Sequence, residues 1–199
     1  MAATIPTRYS HDVFISYSRT GVIKRFVIQH FYPKLRDWLR EELGREVDIF
    51  IDEESISGNE HWPESIADSL VASRCLVPVL TGRYFYSEWC LSEWSNFVER
   101  ERRLGFHDSR RSLIVPAVYH DGDRFLKEAR RYVPHNFRDC GSDSPKFEDH
   151  ASYPLFEERI RELARDVAQV VEHAPEFNPD WPKITFTPDA PTVPLLKIA

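Results

Sequence analysis

Apolar residues gather into short unbroken runs separated by stretches of helical spacing. "DVFISYS" (12–18) ends in polar residues, and "VDIFID" (47–52), "CLVPVL" (75–80) and "LIVPAVY" (113–119) are three further runs of strand length. Between them, Leu35, Trp38, Leu39 and Leu43 recur at helical intervals, with Pro33 suited to a first turn and Gly44 to a stop. Upstream, Phe26, His30 and Phe31 predict a preceding turn or a helix kinked at Pro33, with His30 packed rather than ligating. Ile66, Leu70 and Val71 share one face of a second helix behind Pro63. Ser87 can cap a third that starts near Glu88. Phe156, Ile160, Leu163, Val167, Val170 and Val171 mark a last helix over roughly 153–173. Strands alternating with helices predict an α/β domain, its parallel sheet covered on both faces.

Two positions strain this pattern. Pro78 and Pro116 fall inside strand runs, and a proline there deletes a ladder hydrogen bond, so an edge position or a bulge is expected. After Tyr119 no run marks a further strand. Residues 1–8 read as a tail and 9–174 as the domain. From Pro175 to the end, six of the chain's 14 prolines fall without periodicity, predicting an extended tail or linker.

Composition removes several classes of function. The 199 residues carry a formal charge of −6, which disfavours nucleic acid. Arg100, Arg102, Arg103, Arg110 and Arg111, interrupted by Glu101, read as a solvated helix end. Cys75, Cys90 and Cys140 are widely spaced, without CxxC or zinc spacing, as expected of reduced thiols in a cytoplasmic protein. No run is long enough to span a bilayer, and the start lacks an export signal. The seven glycines include no GxG pair, no GxxxxGK[ST] and no GxSxG, which disfavours nucleotide redox, P-loop and serine-hydrolase chemistry. Cys90 reads as a small buried hydrophobe. The acidic loop "DEESISGNE" has Ile56 where calcium would need an oxygen, so no metal is expected.

What remains is polar groups at the carboxyl ends of strands, where open α/β sheets bind ligands. Ser16, Tyr17, Ser18 and Arg19 follow the first strand, Asp52 the second, residues 81–93 the third, and His120 and Asp121 the fourth. Within "SEWCLSEW" (87–94), Trp89 and Glu93 are four apart on one helical face, while Trp94, Phe97 and Val98 read as core. Taken alone, that spacing fits a solvent-facing glutamate better than a working one. A phosphoacceptor of flavodoxin-like type would need acids at the carboxyl end of the first strand, and Asp12 lies at the other end.

"HDVFISYSR", "FIDEESISGNEHWPESIADSLVAS" and "SRCLVPVLTGRYFYSEWCLSEW", in this order over about residues 9–120, together resemble a TIR (Toll/interleukin-1 receptor) domain of bacterial type. The resemblance implies a flavodoxin-like fold, a five-stranded parallel sheet with helices on both faces. It implies one of two functions: cleavage of NAD+ between nicotinamide and ribose, as an NAD+ nucleosidase in immune or antiphage defence, or a non-catalytic adaptor that binds other TIR domains. NAD+ is then a substrate, and no cofactor is implied. Glu93, in "WCLSE", takes the place of the family's catalytic glutamate. Trp89 would wall the nicotinamide or ribose, while Ser16, Ser18 and Arg19 would meet the pyrophosphate. Tyr17 and Phe85 are open to ordinary packing, and Asp52 to ribose contact or loop anchoring. Glu53, Glu54, Ser55, Ile56, Ser57, Gly58 and Asn59 would form the loop through which TIR domains self-associate.

Overall fold

The structure, a computed structural model, describes residues 8–19, 21–52, 64–106, 111–120, 129 and 131–183. Five strands form one parallel sheet: β1 (His11–Tyr17), β2 (Ile49–Ile51), β3 (Ser73–Leu80), β4 (Ala117–Val118) and β5 (His135–Asn136). Their order is β2-β1-β3-β4-β5, the flavodoxin-like arrangement. The chain winds outward in both directions from the β1/β3 pair, so a crevice opens at the carboxyl ends of those two strands.

Side-chain parity along the strands distributes the core. Val13, Ile15 and Tyr17 of β1 and Cys75, Val77 and Val79 of β3 pack on one face, against Phe26, Phe31, Leu35, Leu39, Phe156, Ile160, Leu163 and Val167. Phe14, Leu76 and Leu80 pack on the other, with Ile114 and Val118, against Ile66, Leu70, Tyr84, Phe85, Trp94 and Phe97. By the same alternation Ser16 falls on the Phe14 side, the side that carries the helix of Glu93.

The helices are α1 (Gly21–Phe26), α2 (Tyr32–Leu43), α3 (Glu64–Val71), α4 (Glu88–Arg103) and α5 (Tyr153–Glu172). A wide π-helical turn, Val27–Phe31, joins α1 to α2, and the Tyr32 N–H reaches back to the Val27 carbonyl. This is the departure expected at Pro33. Proline cannot donate into a regular helix, and one extra residue in the preceding turn absorbs the fault. His30 is packed, its ring edge-on to Phe147 at 5.1 Å. At the far end of α2, Gly44 is left-handed (φ 62°) and donates to the Arg40 carbonyl at 2.9 Å.

β3 lies inside the sheet, so Pro78 is neither at an edge nor harmless. Pro78 pairs in register with Ser16 of β1, and its faulty side is turned toward β4. There the pairing consists of an isolated Leu76–Ile114 bridge and then, past Pro78, the Val79–Ala117 and Leu80–Val118 pairs. The missing N–H therefore explains why a seven-residue apolar run yields a strand of only two residues. Pro116 presents its carbonyl to His135 of β5 at 2.8 Å, so its own missing N–H also falls where pairing is only starting.

The arginine run is not uniformly solvated. Arg102 and Arg103 are exposed and paired with Glu99, but Arg100 is 0% exposed. Its guanidinium donates to the carbonyls of Leu70 (2.6 Å) and Ser73 (3.0 Å) and lies over the rings of Phe97 and Trp181. Burial without a carboxylate partner pulls its pKa down to about 9. Glu101 is buried too, accepting from Ser112, the Leu113 N–H, Tyr132 and Arg131. The described part of the proline-rich segment lies across the domain: Phe177 meets Tyr9 edge-on, the Asp180 carbonyl accepts from Arg103, and Trp181 is buried.

Two stability predictions follow from these contacts. Trp181→Ala should cost about 3 kcal/mol in urea unfolding, because a buried indole is lost and one side of the Arg100 guanidinium is uncovered. Gly44→Ala should cost about 1 kcal/mol from left-handed strain alone, since no atom stands within 4 Å of the added methyl.

Candidate active site

Glu93 stands on the second turn of α4, whose start is fixed by the extended Ser87 accepting from the Cys90 N–H. Trp94 and Phe97 hold α4 against the sheet, and that packing turns Glu93 toward the carboxyl end of β1 rather than into water. Glu93 is 1% exposed, which corrects the solvent-facing reading that the Trp–Glu spacing alone favours. The spacing identifies a shared face, and the fold covers that face with the end of β1.

Both carboxylate oxygens are engaged. Oε2 accepts from the Ser16 hydroxyl at 2.5 Å, and Oε1 from Arg19 Nη2 at 2.8 Å. Arg19 Nη1 meets Asp52 Oδ2 at 3.1 Å, so one guanidinium bridges two carboxylates brought from the ends of β2 and the start of α4. The same guanidinium lies 5.6 Å from the centroid of the half-buried Trp89 ring. Tyr17 donates to the Asp52 carbonyl oxygen at 3.0 Å, fixing the end of β2 against β1. The structure thus gathers Ser16, Tyr17, Arg19, Asp52, Trp89 and Glu93 into one site. Ser18 is buried at the same strand end, and Phe85 is core, edge-on to Trp94 at 5.5 Å. The loop Glu53–Asn59 lies outside the described residues.

Opposing influences set the charge on Glu93. Burial favours the neutral acid and Asp52 adds to it, whereas Arg19 and Ser16 favour the carboxylate. Burial dominates and raises the pKa to about 7. The group therefore changes charge in the neutral range, where a carboxyl on a helix surface would be ionised throughout. Cys90 is also buried, and its thiol is pushed up to about 12, which leaves no thiolate for nucleophilic attack.

One residue that the sequence reading did not single out belongs here. The Tyr84 and Ser16 hydroxyls are hydrogen-bonded across 2.7 Å, with Tyr84 fully buried. Its signal was the aromatic run Tyr84–Phe85–Tyr86, in which a tyrosine placed in the core needs a partner for its hydroxyl. Apart from this site, a concavity of about 350 Å³ is lined by Gly21, Lys24, Arg25, Ile28 and Gln29 on the α1 side. Among the described residues no cluster of three or more His, Cys, Asp or Glu could hold a metal ion, and no helix is long and apolar enough to cross a membrane.

A family model described as "TIR domain" matches residues 13–151. No curated protein matches the chain. Among solved structures, the TIR domain of the Toll-related receptor TRR-2 from Hydra magnipapillata is similar at 17% identity, covering 79% of this chain and 98% of that one with a TM-score of 0.50. The TIR domains of the activated Roq1 resistosome that recognises the pathogen effector XopQ match at 21% identity, over 80% and 84% of the two chains, with a TM-score of 0.38. The first likeness speaks for the fold alone, and the family match, which spans more than half the chain and the whole site, decides membership: this chain belongs to the TIR domain family.

Proposed function

We propose that the chain is an NAD+ glycohydrolase that cleaves the bond between nicotinamide and ribose, with Glu93 as the working carboxylate. The observation that carries this reading is a buried carboxyl, at the topological switch point of the sheet, whose pKa is drawn up to about 7 and whose arginine partner lies against a tryptophan face.

The chemistry asks little more of the protein. Glycosidic cleavage ordinarily uses two carboxyl groups, one to protonate the leaving group and one to attack or stabilise the sugar cation. Nicotinamide departs neutral from a pyridinium that already carries positive charge, so no general acid is needed. A single ionised carboxylate can hold the ribose hydroxyls and stabilise the charge that grows on C1′ as the bond breaks. Water then captures that carbon to give ADP-ribose, or a hydroxyl of the substrate closes a cyclic product.

Arg19 occupies the seat where such a cation would develop, between Glu93 and Asp52. On this reading, substrate takes its place: the ribose hydroxyls replace the guanidinium on Glu93, and Arg19 turns to the pyrophosphate with Ser18, while Trp89 walls the nicotinamide or ribose. The exchange is a natural point of control. A TIR–TIR contact through the 53–59 loop that stabilised the displaced Arg19 would make turnover depend on assembly, as expected of a bacterial-type, cytoplasmic defence protein. A non-catalytic TIR interaction module is the second reading, and it is favoured by one observation: both oxygens of Glu93 are held by the chain's own side chains.

Glu93→Gln keeps size and hydrogen bonding but cannot carry the charge. In a nicotinamide-release assay at high protein concentration it should lose about a hundredfold to a thousandfold in rate, the range for loss of one electrostatic stabiliser. Wild-type rate retained in that variant would remove Glu93 from the reaction. In the wild type, log(kcat/KM) should rise with pH up to about 7 and then level, as the carboxyl of the free protein ionises.

Stability should move in the opposite sense. The carboxyl titrates from its ordinary value of 4.5 in the unfolded chain and about 7 in the folded one, so the folded protein holds the extra proton between them. The stabilisation due to Glu93 is full below pH 4.5 and is lost as pH rises to about 7. Urea midpoints across that window should show the decline in the wild type and a flatter profile in Glu93→Gln.

A further inference from the structure

Ser16 and Tyr84 form a hydrogen-bonded chain that ends on Glu93, and when Glu93 is ionised its direction is fixed by counting protons. An ionised carboxylate can only accept, so the single Ser16 proton points to Glu93 Oε2 across 2.5 Å. The Ser16 oxygen must then accept from its other neighbour, the Tyr84 hydroxyl, across 2.7 Å. Burial pushes the Tyr84 phenol well above its ordinary range, so it stays protonated and able to donate. All three groups are sealed from water, with Tyr84 0% and Ser16 1% exposed, and no solvent competes for these bonds.

We propose that Tyr84 is a positioning residue that acts on Glu93 through Ser16: its hydroxyl polarises the serine, orients the carboxylate from Oε2, and leaves Oε1 as the oxygen that exchanges partners. The inference rests on the reading of Glu93 as the working carboxylate. The asymmetry is built into the fold. Ser16 lies within β1, in register with Pro78 of β3, and Tyr84 is wedged edge-on against Phe85 at 5.1 Å and near Trp94 at 6.5 Å, so neither hydroxyl can follow a moving ligand. Arg19 holds Oε1 from the segment after β1, outside the strand, with 15% of its side chain exposed.

The charged and titratable groups facing Glu93 are Arg19 and Asp52 from the ends of β1 and β2, Tyr84 from the turn before α4, and Cys90 from α4 itself. Arg19 bears on Oε1. The relay bears on Oε2, and the Cys90 thiol lies against the same serine. The relay favours the ionised form of Glu93 through the serine's donated bond.

The test reads Glu93 itself, by carboxyl carbon NMR of protein labelled in glutamate, with the signal identified by its loss in Glu93→Gln. Ser16→Ala should raise the proton affinity of Glu93 about tenfold, the size of one charge-assisted hydrogen bond. Tyr84→Phe should raise it by less. The double variant should match Ser16→Ala alone, because Tyr84 acts through the serine. Ser16→Thr should restore the wild-type midpoint. Fluorotyrosine in place of tyrosine, a stronger donor of nearly unchanged shape, should lower the midpoint without demanding that a truncated variant fold. An unmoved midpoint in both Tyr84→Phe and the fluorotyrosine protein, or a Tyr84→Phe effect that persists in the Ser16→Ala background, would overturn the relay. The titration needs no turnover: wild-type protein that releases no nicotinamide while the midpoints move as described sinks the enzyme reading and leaves the relay standing.

Discussion

A carboxyl group buried at the end of a parallel sheet is the constraint around which this site is organised. Taking Glu93 out of water is costly, and the chain offsets the cost with two donors of distinct character: a neutral hydroxyl locked in β1 and the Arg19 guanidinium, which itself lies against the Trp89 ring. Burial remains strong enough to draw the group into the neutral range. A carboxylate that ionises near neutrality can be neutral while the site is closed and charged when a cation must be stabilised.

The rest of the fold supports that placement. Ser16 faces α4 because β1 alternates, and Glu93 faces Ser16 because Trp94 and Phe97, beside it on the buried side of the same helix, anchor that side to the sheet. Arg100 and Glu101, further along α4, fix it at the amino-terminal side of the sheet. Arg100 ties it to the end of α3 and to Trp181, and Glu101 to the segments that begin at Ser112 and end at Tyr132. The helix is therefore pinned along its length by buried polar contacts, leaving its first turns to present the site.

Much of this was legible in the sequence, for physical reasons that differ between residues. Long periodic helices announced themselves, and α2 and α5 begin and end within a residue of the positions that Pro33, Gly44 and the Phe156–Val171 stripe suggest. The fifth strand was invisible because β5 is two residues, His135–Asn136, at an edge with no apolar run to betray it. β4 was overread for the opposite reason: its run is apolar, but Pro78 and Pro116 restrict the pairing. The Trp89–Glu93 pair was visible as a shared face, but periodicity cannot tell a covered face from a wet one. Only the chain crossing at β1 decides that, and with it the parts played by Ser16 and Tyr84. Arg100 was misread in the same way, since a charge near a helix end looks solvated until Trp181, far along the chain, folds over it.

The central claim is that one carboxylate, without a proton donor, stabilises a ribosyl cation as nicotinamide leaves. The most direct measurement is the secondary hydrogen isotope effect at ribose C1′ of NAD+ during turnover by the concentrated protein. The account predicts nicotinamide release with a large normal effect, because C1′ becomes cationic and flattened as the bond breaks. Absence of turnover under these conditions, or an isotope effect of unity with bond cleavage rate-limiting, would contradict it.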